Sequence, residues 1–213
     1  MPTISDVGRR RKNYLIFPDC GRFACMETIL FSLVGTTPAV LTETIWAMAH
    51  QPEPELPDRI IAVTTAPGAD LLRTKLFTDG HWKRMTDCLT DEGLDLNGKL
   101  KFGDTGRSIQ VFTSLDQSEE LDDVQSMEDN HAVADFFLEQ LRTFTENDAC
   151  RLIVSIAGGR KTTSALLHSV MTILGRAQDS ITHILVNDEW ISQRDFLYPG
   201  CEGEFNDAQT GDA

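Results

Sequence analysis

Long apolar runs are missing from this sequence. None approaches the roughly 18 residues that a membrane-spanning helix needs, so no membrane anchor is expected. The cationic Arg9, Arg10, Arg11 and Lys12 are followed only by the short apolar stretch 14–17 before Pro18, which is neither a signal peptide nor an anchor.

Positive charge is equally scarce. With 19 Lys and Arg against 33 Asp and Glu, the formal net charge is -14. A protein that coats long DNA or RNA needs broad basic surfaces to displace counterions, so that partner class is disfavoured. A small anionic ligand held at one local basic loop is compatible with this charge.

Metal-site patterns are absent as well. Cys20, Cys25, Cys88, Cys150 and Cys201 are odd in number and scattered, without the close pairing of a zinc site. A reduced, cytoplasmic protein without a structural metal or other cofactor is the expected reading. His50, His81, His131, His168 and His183 likewise lack a second histidine or cysteine at metal or triad spacing, and are read as structural or surface residues.

What is present is a repeating strand, loop and helix grammar. At 213 residues and 41% hydrophobic composition, the chain can bury one good core. Residues 1–25 have no clear period and are read as a loosely ordered extension, 26–200 as one folded domain, and 201–213 as an acidic tail.

Apolar runs at 28–34, 60–64, 109–112, 152–156 and 181–186 predict five strands. Helical periods follow the first through Val40, Leu41, Ile45 and Met48, and the second through Leu71, Leu72 and Leu76. A third period spans 131–144, and a fourth carries Leu166, Leu167, Val170 and Ile173 up to Gly175, which is expected to stop it. Asn97-Gly98 reads as a turn. Residues 114–130, rich in Asp and Glu, read as a solvated loop or lid. Strands alternating with helices predict an α/β, Rossmann-like, doubly wound and mainly parallel sheet with helices on both faces.

In such sheets ligands bind beyond the carboxyl ends of the strands, where strand order reverses, commonly between the first and fourth strands. The two most distinctive loops follow those two strands. After the fourth, Ser155-Ile156-Ala157-Gly158-Gly159-Arg160-Lys161-Thr162-Thr163 combines glycines, two cations and hydroxyls at a helix start, where backbone N–H groups favour phosphate. The plainer reading is a sharp turn followed by a solvated basic pair.

This loop is not a Walker A motif, because Ser155 and Arg160 stand where that motif needs glycine, and no G-x-G-x-x-G follows the first strand. After the first strand, Ser32, Thr36 and Thr37 offer hydroxyls. Thr37 is placed either to cap the helix that begins at Pro38 or to touch a ligand phosphate or ribose.

Gly35-Thr36-Thr37-Pro38-Ala39-Val40-Leu41-Thr42-Glu43-Thr44 after the first strand, together with the fourth-strand motif, resembles the CARF family of type III CRISPR systems. More narrowly, the chain is similar to the small standalone CARF proteins that act as ring nucleases. Thr64-Thr65-Ala66-Pro67-Gly68-Ala69 and Phe196-Leu197-Tyr198-Pro199 continue the pattern. The resemblance implies a homodimer whose two-fold axis passes through a site for a symmetric ring such as cyclic tetra-adenylate. It also implies a role in cleavage for Lys161 and for Thr37 or Thr36. This chain carries threonine where the family has serine.

Such cleavage needs no metal when the ribose 2′-OH is held in line with the scissile phosphorus, since the substrate brings its own nucleophile. Lys161 is then assigned to the charge of the transition state. Ser155, Gly158, Gly159, Arg160, Thr162, Thr163 and Thr36 are assigned to ligand binding. Two rivals stand beside this reading: a non-catalytic sensor of cyclic oligoadenylate, and a nucleotide-handling enzyme unrelated to CRISPR.

Overall fold

A computed structural model describes residues 26–185 and 197–200. The expected extension 1–25, the tail 201–213, Val186, Phe196 and the Asn187-Asp188-Glu189-Trp190 stretch lie outside the described residues.

Five strands, β1 (Glu27–Leu33), β2 (Arg59–Thr64), β3 (Ile109–Val111), β4 (Cys150–Ser155) and β5 (Ser180–Thr182), form one sheet in the order β3-β2-β1-β4-β5. Every pairing is parallel. Parallel strands need crossovers, and five helices supply them: α1 (Ala39–Ala49), α2 (Ala66–Leu72), α3 (His81–Asp91), α4 (Met127–Thr145) and α5 (Lys161–Leu174). Between α2 and α3 the chain winds through a π-helical stretch, Arg73–Thr78. This is the α/β, Rossmann-like architecture that the sequence predicts.

Both faces of the sheet are buried, which is why the strands read as continuous apolar runs. Along β1, Leu30 joins a core with Leu41 and Ile45 of α1, Leu72 of α2 and Leu89 of α3. Its neighbours Ile29, Phe31 and Leu33 enter a second core with Phe137 and Leu141 of α4 and Leu167 of α5. Leu197 and Tyr198 close the first core, where Tyr198 lies against Trp46 with ring centroids 5.4 Å apart.

Three details differ from expectation. α4 begins at Met127 rather than 131, because Ser126 and Asp129 form a capping box that satisfies the first backbone donors. Thr37 does not cap α1: Pro38 is the flanking residue, already helical, and no side chain accepts there. Gly175 terminates α5 as expected, in an extended conformation. The cysteines are also not uniformly reduced, since Cys150 is a free, buried thiol whereas Cys88 is disulfide-bonded.

Candidate functional site

Strand order reverses at β1, whose neighbours are β2 on one side and β4 on the other. The chain leaves β1 toward α1 on one face and leaves β4 toward α5 on the other, so the two loops diverge and open a crevice. A cleft of about 490 Å³ occupies that place. Thr36 and Thr37 line it from the β1 loop, Thr65 and Pro67 from the β2 loop, and Gly158, Gly159, Arg160 and Thr163 from the β4 loop and the start of α5.

The glycines are needed because the loops touch through their backbones. A Cβ on Gly158 would stand 2.2 Å from the Leu33 carbonyl oxygen and 2.8 Å from the Val34 Cα. Gly159 has φ +72°, the left-handed region that favours glycine. Gly158 is therefore fixed by packing against the end of β1, at the lining of the cleft.

The cations differ in their surroundings. Lys161 is the first residue of α5, exposed, and without a hydrogen bond or ion pair among the described residues. It does not line the cleft itself. With Thr162 it lines an adjoining depression of about 770 Å³ whose wall, through Val124, Gly159 and Arg160, is shared with the cleft. Among the described residues no side chain caps α5, so its first backbone N–H groups are open to an anion beside Lys161.

Arg160, by contrast, is engaged. Its Nε donates to Asp123 Oδ1 at 2.7 Å and its Nη2 donates to Asp123 Oδ2. The Arg160 guanidinium, with help from the Gln125 side chain and the Val124 N–H, holds the Asp123 carboxyl well below the usual carboxylate range. Asp123 in turn raises Arg160.

Ser155 sits under the site rather than in it. It is fully buried in β4, paired in register with Ser32 of β1, and the Oγ of each lacks a partner among the described residues, as does Thr64 Oγ1. The structure thus brings Thr36, Thr37, Gly158, Gly159, Arg160 and Thr163 into one cleft, puts Lys161 and Thr162 beside it, and leaves Ser155 beneath.

Sequence reading missed Thr65, Pro67, Phe112, Asp122, Asp123 and Val124, all of which line the cleft. The usable signal was position: the loop after β3 leaves from the same carboxyl edge of the sheet as the loops after β1, β2 and β4. Within the segment read as a solvated loop or lid, residues 122–125 form a wall, with Val124 buried.

The family model for CRISPR-associated protein NE0113 matches residues 37–212. The chain belongs to this CRISPR-associated family. The matched span of the NE0113-family protein includes Thr37, the wall at 122–125 and the whole β4 loop with Lys161. Comparison with curated proteins yields no match. Among the described residues of this family member, no group of three or more His, Cys, Asp or Glu is arranged to hold a metal ion. No described helix is long and apolar enough to cross a membrane.

Proposed function

We propose that this NE0113-family protein is a CARF-type ring nuclease that binds cyclic oligoadenylate, most suitably cyclic tetra-adenylate, and cleaves it. The observation that carries the proposal is Lys161: a cation unpaired among the described residues, on the uncapped start of α5 and beside a cleft lined by Thr36, Thr37 and Gly159. CRISPR membership of the family supports the same reading.

The chemistry follows from the substrate. The ribose 2′-oxygen forms a bond to phosphorus as the bond from phosphorus to the 5′-oxygen breaks. The 2′ proton is lost, and the leaving 5′-oxygen gains one. Two such cuts convert the ring of four nucleotides into two linear di-adenylates ending in 2′,3′-cyclic phosphate. Lys161 and the adjoining N–H groups stabilise the charge that builds on the phosphoryl oxygens. Thr36 and Thr37 orient the ribose and phosphate on the opposite wall. Two copies of the chain, related by a two-fold axis, share one symmetric ring in this reading, as a cytoplasmic homodimer. No step is routed through a metal or cofactor.

One observation favours the rival of a non-cleaving sensor: no histidine lines the cleft among the described residues, so it holds no imidazole to act as a general base. Thermal stabilisation tests the binding half of the proposal. A ligand at 100 times its Kd stabilises by about 2.7 kcal/mol. A rise in melting temperature with cyclic tetra-adenylate, and none with ATP or AMP, is expected. Equal shifts with AMP would point to a mononucleotide enzyme instead. Mass detection of the 2′,3′-cyclic phosphate product separates nuclease from sensor.

A further inference from the structure

The Arg160–Asp123 pair is built more carefully than a surface ion pair requires. The Asp123 carboxylate accepts four hydrogen bonds: two from Arg160, one from the Val124 N–H at 2.8 Å and one from Gln125 Nε2 at 2.9 Å. Gln125 is itself anchored, its N–H donating to Asp129 Oδ2 at 2.9 Å within the capping box of α4. A continuous chain of contacts therefore runs from the start of α4 to the residue that flanks the start of α5.

This chain grips only one edge of the guanidinium. Nε and Nη2 face Asp123, whereas Nη1 has no hydrogen-bond partner among the described residues. Arg160 borders both the cleft and the depression that holds Lys161. A planar guanidinium has donors on two edges, so a carboxylate on one edge can fix the plane while the other stays available to a phosphate.

We infer that Asp123 is a positioning residue that holds Arg160 by its Nε/Nη2 edge and presents the Nη1 edge to a phosphate of the bound ring. This inference rests on the proposed use of the cleft for cyclic oligoadenylate. It gives the acidic segment a function that its charge alone opposes: a carboxylate beside an anion site repels the ligand, unless its cation is thereby fixed in the ligand's path. An unrestrained Arg160 would lose side-chain entropy on binding, and Asp123 removes that loss in advance.

The test is a double-mutant cycle on the full chain, with dissociation constants measured for cyclic tetra-adenylate and cyclic hexa-adenylate in wild type, D123N, R160A and the D123N/R160A double variant. Asparagine keeps the size of the side chain but offers one acceptor oxygen where Arg160 needs two. D123N is expected to weaken binding about tenfold when Arg160 is present, the scale of a charge-assisted contact, and by less than about twofold in the R160A background.

Rescue supplies a second readout. D123E restores the charge one methylene further out, and is expected to recover part of the affinity. Three results would overturn the inference: unchanged or tighter binding by D123N, which would make Asp123 a competitor of the ligand; an equal loss in both backgrounds, which would make its role purely structural; or no recovery in D123E. Absence of wild-type binding to either ring would remove the ring reading and this inference together. Wild-type binding with an unaffected D123N would remove the inference alone.

Discussion

Replacing Gly158 by alanine drives a methyl group into the backbone of β1. The added Cβ would lie 2.2 Å from the Leu33 carbonyl oxygen, 2.8 Å from the Val34 Cα and 2.9 Å from the Leu33 carbonyl carbon. None of these atoms belongs to a side chain that can rotate away. Overpacking costs about 1–3 kcal/mol where neighbours can shift, and a backbone obstacle places this substitution at the upper end, about 3 kcal/mol. The smaller conformational entropy of the unfolded alanine chain offsets about 0.4–1 kcal/mol.

The net loss, about 2–2.5 kcal/mol, corresponds to a fall in melting temperature of about 5–10 °C for a chain of this size. Gly159 is the internal comparison. At φ +72° an alanine there costs about 1–2 kcal/mol for the left-handed backbone, and its nearest neighbours are carbons of the Leu33 side chain at 3.2 Å, which can move. Melting followed by circular dichroism should therefore rank G158A below G159A, and both below wild type. A G158A variant that melts within about one degree of wild type, where roughly 5–10 °C is expected, or a reversed ranking, would refute the picture of loops packed backbone to backbone.

Other perturbations follow from the same contacts. T37A should change stability by less than about 0.5 kcal/mol in urea unfolding, as for a surface change, because Thr37 caps no helix here. A loss near 1 kcal/mol would instead reveal a cap. S126A should cost about 1 kcal/mol, since Ser126 Oγ accepts the Asp129 N–H at 2.9 Å. F137A should cost about 3–5 kcal/mol, because Phe137 is fully buried and meets the Phe31 and Phe112 rings at 6.4 and 5.5 Å.

Acid should loosen the wall of the cleft. The Asp123 carboxyl titrates below its ordinary value through its bonds from Arg160, so its contribution is complete above the unfolded value and is lost as pH falls through the folded one. Asp116, held at about 2 by the Ser114 and Ser118 side chains, behaves in the same sense. The difference in melting temperature between wild type and D123N should hold down to the ordinary carboxyl value of 3.8 and shrink as pH is lowered further, toward about 2, and a difference that grew would contradict this sign.

Sheet class and crevice position were legible in the sequence because burial on both faces leaves the strands as apolar runs, and because the chain alternates strand and helix. Ile60 and Leu152, where the second and fourth strands were predicted to start, lie one and two residues inside β2 and β4. What escaped was decided by partners distant in sequence. Arg160 and Asp123 are 37 positions apart, and nothing in an acidic composition distinguishes the carboxylate that meets a guanidinium from those that meet water. Ser155 was read with the ligand residues because it opens a hydroxyl-rich motif, and the structure places it fully buried at the end of β4, opposite Ser32. The start of α4 was read four residues late, because the apolar period begins only after the capping box has already set the helix.

The most direct test of the central claim is incubation of purified wild type and K161A, in EDTA, with labelled cyclic tetra-adenylate. Lys161 is exposed and unpaired among the described residues, so K161A should fold and melt like wild type. Conversion of the ring to linear di-adenylate with a 2′,3′-cyclic phosphate by wild type, and its loss in a folded K161A, is the predicted result. Tight binding without conversion by wild type, or undiminished conversion by K161A, would contradict the account.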